Sequence, residues 1–98
     1  MRVRFLTIAE IEATEAAEYY EAKQIGLGSA FVEELRRTEL RIVAHPNAWS
    51  PGSRGTRSCQ MNRFPYSIIY RVSANEIVVV AIHNHSRDPH RWEDRIIE

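Results

Sequence analysis

The sequence of 98 residues has little of what marks several protein classes. Its one cysteine, Cys59, excludes an internal disulfide and favours a reducing environment. The longest apolar run, residues 77–82, is far shorter than the roughly 20 residues of a membrane-spanning helix. The first residues also lack the apolar stretch of a secretory signal. We therefore expect a single small domain, residues 1–98, in the cytoplasm and without a membrane partner.

Lysine is nearly absent too, because 12 of the 13 basic residues are arginine. The net charge is zero, but the charges are unevenly distributed. Residues 1–49 hold six basic and eight acidic side chains, whereas residues 50–87 hold five arginines and one acidic residue, Glu76. The planar guanidinium group suits paired hydrogen bonds to phosphate or carboxylate. The second half of the chain is therefore expected to present a cationic surface.

The first half predicts a short strand and two helices. Val3 and Phe5 alternate with arginines in the strand pattern. Thr7 and Glu10 have the spacing of a capping box and place the start of the first helix. Small or aromatic residues recur on the predicted buried face of this helix: Ala9, Ala13, Ala16, Ala17 and Tyr20. Glutamates are predicted on its outer surface: Glu12, Glu15, Glu18 and Glu21.

The segment 26–28, Gly-Leu-Gly, interrupts the pattern and predicts a helical hairpin. The second helix has an apolar stripe made of Phe31, Leu35, Thr38 and Ile42. This helix should end near His45, because Pro46 disfavours helical geometry in the residue before it. Residues 46–56 are rich in turn-forming residues and predict a loop anchored by Trp49.

The second half predicts three antiparallel strands at about 57–62, 66–72 and 77–83. Asn75 favours a tight turn between the last two strands, because asparagine tolerates the left-handed backbone. Residues 77–82 are all apolar, so that strand is expected to be covered on both faces. Asp88 and Pro89 predict the start of a helical tail anchored by Trp92 and Ile96.

This order of elements, together with several short motifs, resembles the RelE/ParE superfamily of toxins. The motifs are the segment 16–21, Gly26-Leu27-Gly28 before Phe31, Phe64-Pro65-Tyr66 with Ile69–Val72, and residues 85–89 with Trp92 and Arg95. The resemblance implies an α+β fold of order β-α-α-β-β-β, with a helical hairpin on a mainly antiparallel sheet and a short helical tail. It also implies a type II toxin–antitoxin pair, in which a cognate antitoxin neutralises the toxin.

Two mechanisms share this fold, so the fold alone does not choose between them. RelE-like members are endoribonucleases that cut messenger RNA on the ribosome, and ParE-like members inhibit DNA gyrase. RNA cleavage needs a base for the 2′-hydroxyl, a cation for the phosphate and an acid for the leaving oxygen. The residues that offer such groups here are Arg63, Arg71, His83, His85 and Arg87.

The expected RelE pattern is poorly matched. Ser58, Cys59 and Gln60 stand where it has lysines, and Pro89 and Trp92 lie near an expected arginine and tyrosine. A neutral chain also lacks the positive charge that supplies much of the affinity for nucleic acid. These differences favour the ParE-like mechanism, with the endoribonuclease as the alternative and a diverged, non-toxic binding domain as a second one.

The expected partners are a cognate antitoxin and DNA gyrase, or the ribosome and messenger RNA under the alternative. Acidic residues of an antitoxin that folds on binding would meet the cationic sheet region. The candidate partner-binding residues are Arg57, Arg63, Arg71, His85 and Arg87. No cofactor is expected, and no metal, because His83 and His85 have no evident third ligand.

Overall fold

The computed structural model describes residues 1–96 and has the predicted α+β order, with one additional short strand. Strand β1 (Arg2–Phe5) leads into helices α1 (Thr7–Lys23) and α2 (Leu27–Ala44). Four further strands follow: β2 (Ser50–Pro51), β3 (Arg57–Gln60), β4 (Tyr66–Ser73) and β5 (Glu76–Asn84). A 3-10 turn at Glu93–Arg95 lies near the end of the described chain. Strand β2 falls within the predicted loop and was not anticipated.

The five strands form one sheet in the order β1-β5-β4-β3-β2. All neighbours are antiparallel except β1 and β5, which run parallel with Val3 opposite Ile77. Pairing of β1 with β5 ends at Phe5 and Val79, although β5 continues to Asn84. Among the described residues, the last part of β5 therefore has no strand beside it on that edge.

The two helices cover one face of the sheet. Ala9 and Ala16 of α1 and the predicted stripe of α2 are buried against the sheet. The stripe consists of Phe31, Leu35, Thr38 and Ile42. Burial of these apolar side chains stabilises the fold by about 25 cal/mol per Å² removed from water.

The tail covers part of the opposite face. Trp92 and Ile96 are buried there against Ile69, Val80 and Ala81. The prediction that residues 77–82 are covered on both faces is therefore confirmed, and all six are buried. Both predicted tail anchors are confirmed as well.

A β-bulge in β5 contributes to its unbroken apolar pattern. Ile69 pairs with Ala81 and Tyr70 pairs with Val79, so Val80 is an extra residue without a partner in β4. Val80 and Ala81 consequently both pack on the tail side of the sheet. Ile82 then returns to the helix side.

Two local predictions about backbone geometry were wrong. Thr7 is the first residue of α1, Leu6 occupies the N-cap position, and no side chain caps this helix. The chain passes directly from β1 into the helix, because the Leu6 backbone N–H still donates to Val79 O at 3.0 Å. In the β4–β5 turn, Ala74 and not Asn75 adopts the left-handed conformation, with φ of 44°.

The junction of the two helices depends on Glu21 and two glycines. Gly26 has φ of 91°, a conformation that side chains disfavour. The Glu21 carboxylate accepts hydrogen bonds from the backbone N–H groups of Gly26 and Gly28 at 3.0–3.1 Å. A Cβ on Gly28 would lie 2.7 Å from Ala17 O, so the helices approach too closely here for any larger residue.

The other end of the hairpin is fastened to the sheet. Helix α2 ends at Ala44 with His45 at the C-cap position, as predicted. The Tyr70 hydroxyl donates to Pro46 O at 2.6 Å, and burial raises the pKa of Tyr70 to about 12. Trp49 packs against the core, which confirms it as the anchor of the loop. No helix within residues 1–96 has the length and apolar character needed to cross a membrane.

Candidate protein-binding groove

A groove of about 750 Å³ lies between α1, the last residues of β5 and the tail. We call it the cationic groove. One wall belongs to α1 and combines exposed apolar side chains with Glu12 and Glu15, and the opposite wall carries basic and imidazole groups. The residues used below to define it are Ile8, Ile11 and Tyr19 on the first wall and His83, Arg87 and Arg91 on the second.

The apolar wall is unusually exposed for side chains of its type. Ile8, Ile11 and Tyr19 are 43%, 47% and 55% exposed. They line the groove beside the part of β5 that lies past the end of β1, where no strand within residues 1–96 covers them. Adjacent exposed apolar side chains of this kind commonly mark an interaction surface.

An ion pair between α1 and the tail replaces the missing strand at the edge of β5. Glu12 and Arg95 form a bidentate pair with distances of 2.9 and 2.7 Å. Glu12 also accepts from the Ile82 backbone N–H at 3.0 Å, and Arg95 donates to Val80 O at 3.1 Å. Two backbone groups of the open strand edge are thereby satisfied by side chains, as buried polar groups require.

Glu12 had been predicted on the outer surface of α1, and this prediction was wrong. Its side chain is only 20% exposed. Glu12 is a polar residue, and the helical period alone places it next to the face of α1 that carries the alanines. The sequence does not show that an unpaired strand edge lies at that position, or that Arg95 reaches it from the tail.

The two histidines lie beside each other at the end of β5, with ring centroids 6.1 Å apart. His83 is half-buried, and this burial lowers its pKa, with His85 adding to the effect. His85 is exposed, and its Nε2 lies 2.7 Å from the Ser67 hydroxyl oxygen. Within residues 1–96, no three metal-ligating side chains come together.

Arg87 and Arg91 are exposed and line the groove. Neither forms an ion pair with a carboxylate among the described residues. Their charges are therefore available to an incoming group, with Asp88 the acidic residue nearest in sequence to Arg87 and Glu93 the one nearest to Arg91. Arginine at such a position favours a carboxylate or a phosphate.

The structure divides the other predicted site residues between two ends of the sheet. Arg71 is opposite Val78, next to Arg54, whereas Tyr66 is opposite Asn84 near the histidines. Tyr66 and Arg71 are five residues apart along β4, a distance of roughly 17 Å. Arg71 is thus far from His83, His85 and Arg87.

The remaining two arginines have structural contacts of their own. Arg57 donates to Trp49 O at 2.8 Å and holds the loop before β3. Arg63 is exposed in the β3–β4 connection, with its guanidinium 5.5 Å from the centre of the Phe64 ring. This connection meets the end of β5, because His85 N donates to Pro65 O at 2.9 Å.

Residues 3–89 match the family model described as ParE toxin of type II toxin-antitoxin system, parDE. The chain belongs to the ParE toxin family. The ParE-family fold also agrees with a solved structure, a chromosomal ParDE toxin-antitoxin system from P. aeruginosa. The TM-score is 0.73 at 22% identity, over 86% of this chain and 95% of that chain. None of the curated proteins matches this ParE-family sequence.

Proposed function

We propose that this ParE-family protein inhibits bacterial growth by acting on DNA gyrase, and that a cognate antitoxin neutralises it by occupying the cationic groove. The observation that carries the proposal is the family match over residues 3–89, which includes the two helices and all strands from β2 to β5. The gyrase target comes from the resemblance to ParE-like members, and the docking position comes from the groove.

The chemistry of the groove supports a particular kind of antitoxin segment. Ile8, Ile11 and Tyr19 provide an apolar strip, and Arg87 and Arg91 provide positive charges that form no ion pair within residues 1–96. An amphipathic segment with apolar residues on one side and carboxylates on the other satisfies both walls. Such a segment can be disordered before binding and fold in the groove.

The placement of the candidate catalytic residues favours an inhibitor over the alternative endoribonuclease. Arg71 lies at the far end of β4 from His83, His85 and Arg87. General acid–base catalysis requires groups within hydrogen-bonding reach of one substrate. The neutral net charge of the chain further reduces its attraction to ribosomal RNA.

The target is tested by inducing the chain alone in Escherichia coli and by adding purified protein to a gyrase supercoiling assay. We expect growth arrest with filamentation, and either loss of supercoiling or accumulation of cleaved DNA–gyrase complexes. Cuts in messenger RNA at ribosomal A sites, with gyrase unaffected, would establish the endoribonuclease instead. Harmless expression of folded protein would establish the non-toxic binding domain.

The docking position is tested with the product of the adjacent small reading frame as the antitoxin. Ile11→Asp should weaken its binding at least tenfold, which corresponds to about 1.4 kcal/mol. Ile25→Asp is the matched control, because Ile25 is 91% exposed in the turn between the helices, outside the groove. Equal affinities for the two variants would place the antitoxin elsewhere without affecting the gyrase assignment.

A further inference from the structure

A second groove, also of about 750 Å³, lies between α1 and α2 on the outer side of the hairpin. We call it the hairpin groove. Its floor consists of small and aliphatic residues, and its borders carry charged side chains. The floor contains Ala17, Gly28, Val32 and Leu35.

The floor of the hairpin groove includes apolar surface without a cover in the described structure. Val32 is 53% exposed, and Leu40, two helical turns further along α2, is 59% exposed. Residues eight apart on a helix are separated by about 12 Å along the axis and by about 80° around it, so Leu40 lies beside the groove floor and extends its exposed apolar surface. This length matches two to three turns of a further helix.

The close contact of the two helices makes this floor shallow and accessible. Gly28 lies against Ala17 O, where any Cβ would be only 2.7 Å away. The absence of large side chains at these positions allows the backbone of a third helix to approach, since packed helices are commonly 8–10 Å apart. Glu21 maintains the arrangement by bonding to the N-terminus of α2.

The border of the hairpin groove is acidic. Four glutamates line it against one arginine, Arg36: Glu18, Glu21, Glu33 and Glu39. Glu33 pairs with Arg37 at 3.5 Å, and Glu21 bonds to the turn, so Glu18 and Glu39 are the carboxylates left for a ligand. Burial raises the pKa of Glu39 even though Arg36 is near, which agrees with a carboxylate that lacks sufficient positive charge around it.

We propose that the hairpin groove is a second docking site, for an amphipathic helix of a partner protein that carries lysine or arginine beside its apolar row. Its apolar side would cover Val32 and its basic side chains would meet Glu18 and Glu39. The two grooves have no lining residue in common. An acidic segment in the cationic groove and a basic helix in the hairpin groove can therefore be bound at the same time.

The test uses two synthetic helical peptides with the same row of leucines, one flanked by lysine and arginine and the other by glutamate. Binding is measured by fluorescence anisotropy and mapped by amide chemical shifts on labelled protein. We expect the basic peptide to bind at least tenfold more tightly, with the largest shifts at Ser29, Val32 and Arg36. Equal binding of both peptides, or shifts centred on the cationic groove, would overturn the proposal.

The variant Glu18→Lys with Glu39→Gln should reduce binding of the basic peptide at least tenfold and leave the circular dichroism spectrum unchanged. Glu15→Gln is the matched control, because Glu15 is an α1 glutamate that lines the other groove. Val32→Asn should also weaken binding of the basic peptide. It leaves the charges of the groove unchanged, so it replaces the double variant if that protein does not fold.

Analytical ultracentrifugation without peptide tests whether a second copy of the protein occupies the groove. A dimer that Val32→Asn abolishes would show that it does, and would overturn the basic-helix proposal. Gyrase inhibition is measured separately on the same variants.

Discussion

Helix α1 contributes to two grooves of similar volume and opposite charge, and the two are built differently. The cationic groove forms where a strand is missing, and the Glu12–Arg95 pair substitutes for that strand. The hairpin groove forms where two backbones approach closely at Gly28. The cationic groove therefore depends on a side-chain ion pair, and the hairpin groove depends on the absence of a side chain at Gly28. Separate substitutions should damage them independently.

Arg95→Ala should have the largest effect and should act on the cationic groove. It leaves the Glu12 carboxylate partly buried without its cation, and it removes a donor from Val80 O. We expect a loss of about 3 kcal/mol in the free energy of unfolding, measured by urea denaturation. Arg4→Ala is the control, because the Arg4–Glu76 pair is more exposed and should contribute much less to the free energy of unfolding. Equal losses would contradict the special role of the Glu12–Arg95 pair.

Gly28→Ala should have the second-largest effect on the free energy of unfolding, and it should act on the hairpin groove. The added Cβ would meet Ala17 O and Glu21 Cβ at 2.7 and 2.9 Å, so the helices must separate. We expect a loss of about 2 kcal/mol by the same measurement, although alanine favours helix by about 1 kcal/mol over glycine. Ser29→Ala, at the neighbouring exposed position, should have little effect. A stabilised Gly28→Ala protein would show that the contact is not close.

Glu21→Ala should cost about 1 kcal/mol, because the first N–H groups of α2 lose a charged acceptor. Glu18→Ala, one turn earlier on α1, should change the free energy of unfolding by less than about 0.5 kcal/mol. Comparison of the two midpoints in urea isolates the contribution of the helix cap. Similar midpoints would assign no stabilising role to Glu21.

The smallest effect is expected in the pH dependence of stability. Burial lowers the pKa of His83 in the folded protein, so the unfolded chain binds its proton first as the pH falls below about 6.5. The free energy of unfolding should then decrease in this range, and His83→Gln should remove that part of the decrease. The Glu93 carboxylate raises the pKa of His90, which acts in the opposite direction, so His90→Gln should make the decrease steeper. Identical slopes for the three proteins between pH 5.5 and 8 would contradict the assignment.

The sequence was sufficient for the elements whose patterns are local. The apolar stripe of α2, its end before Pro46 and the apolar strand 77–82 each follow from spacing within one segment. Trp49 and Trp92 were also predictable, since large aromatic side chains in polar segments usually have a packing role.

The features that were missed depend on contacts between distant segments. Glu12 meets Ile82 and Arg95, which are 70 and 83 residues away, and no periodicity within α1 contains that information. The division of the arginines between the ends of the sheet follows from strand register. The roles of Arg57, Arg63, Arg71, His85 and Arg87 in partner binding remain predictions, and the groove makes Arg87 the first to test.

The bulge at Val80 has a consequence for insertions and deletions in this protein. Side chains alternate along a strand, so one extra residue exchanges the two faces for everything that follows. Deletion of Val80 would remove only the extra residue, so Ala81 would stay on the tail side opposite Ile69 and Ile82 would stay on the helix side. An alignment with a relative that lacks the bulge therefore needs a one-residue gap near this position, because an ungapped alignment would compare side chains from opposite faces of the sheet.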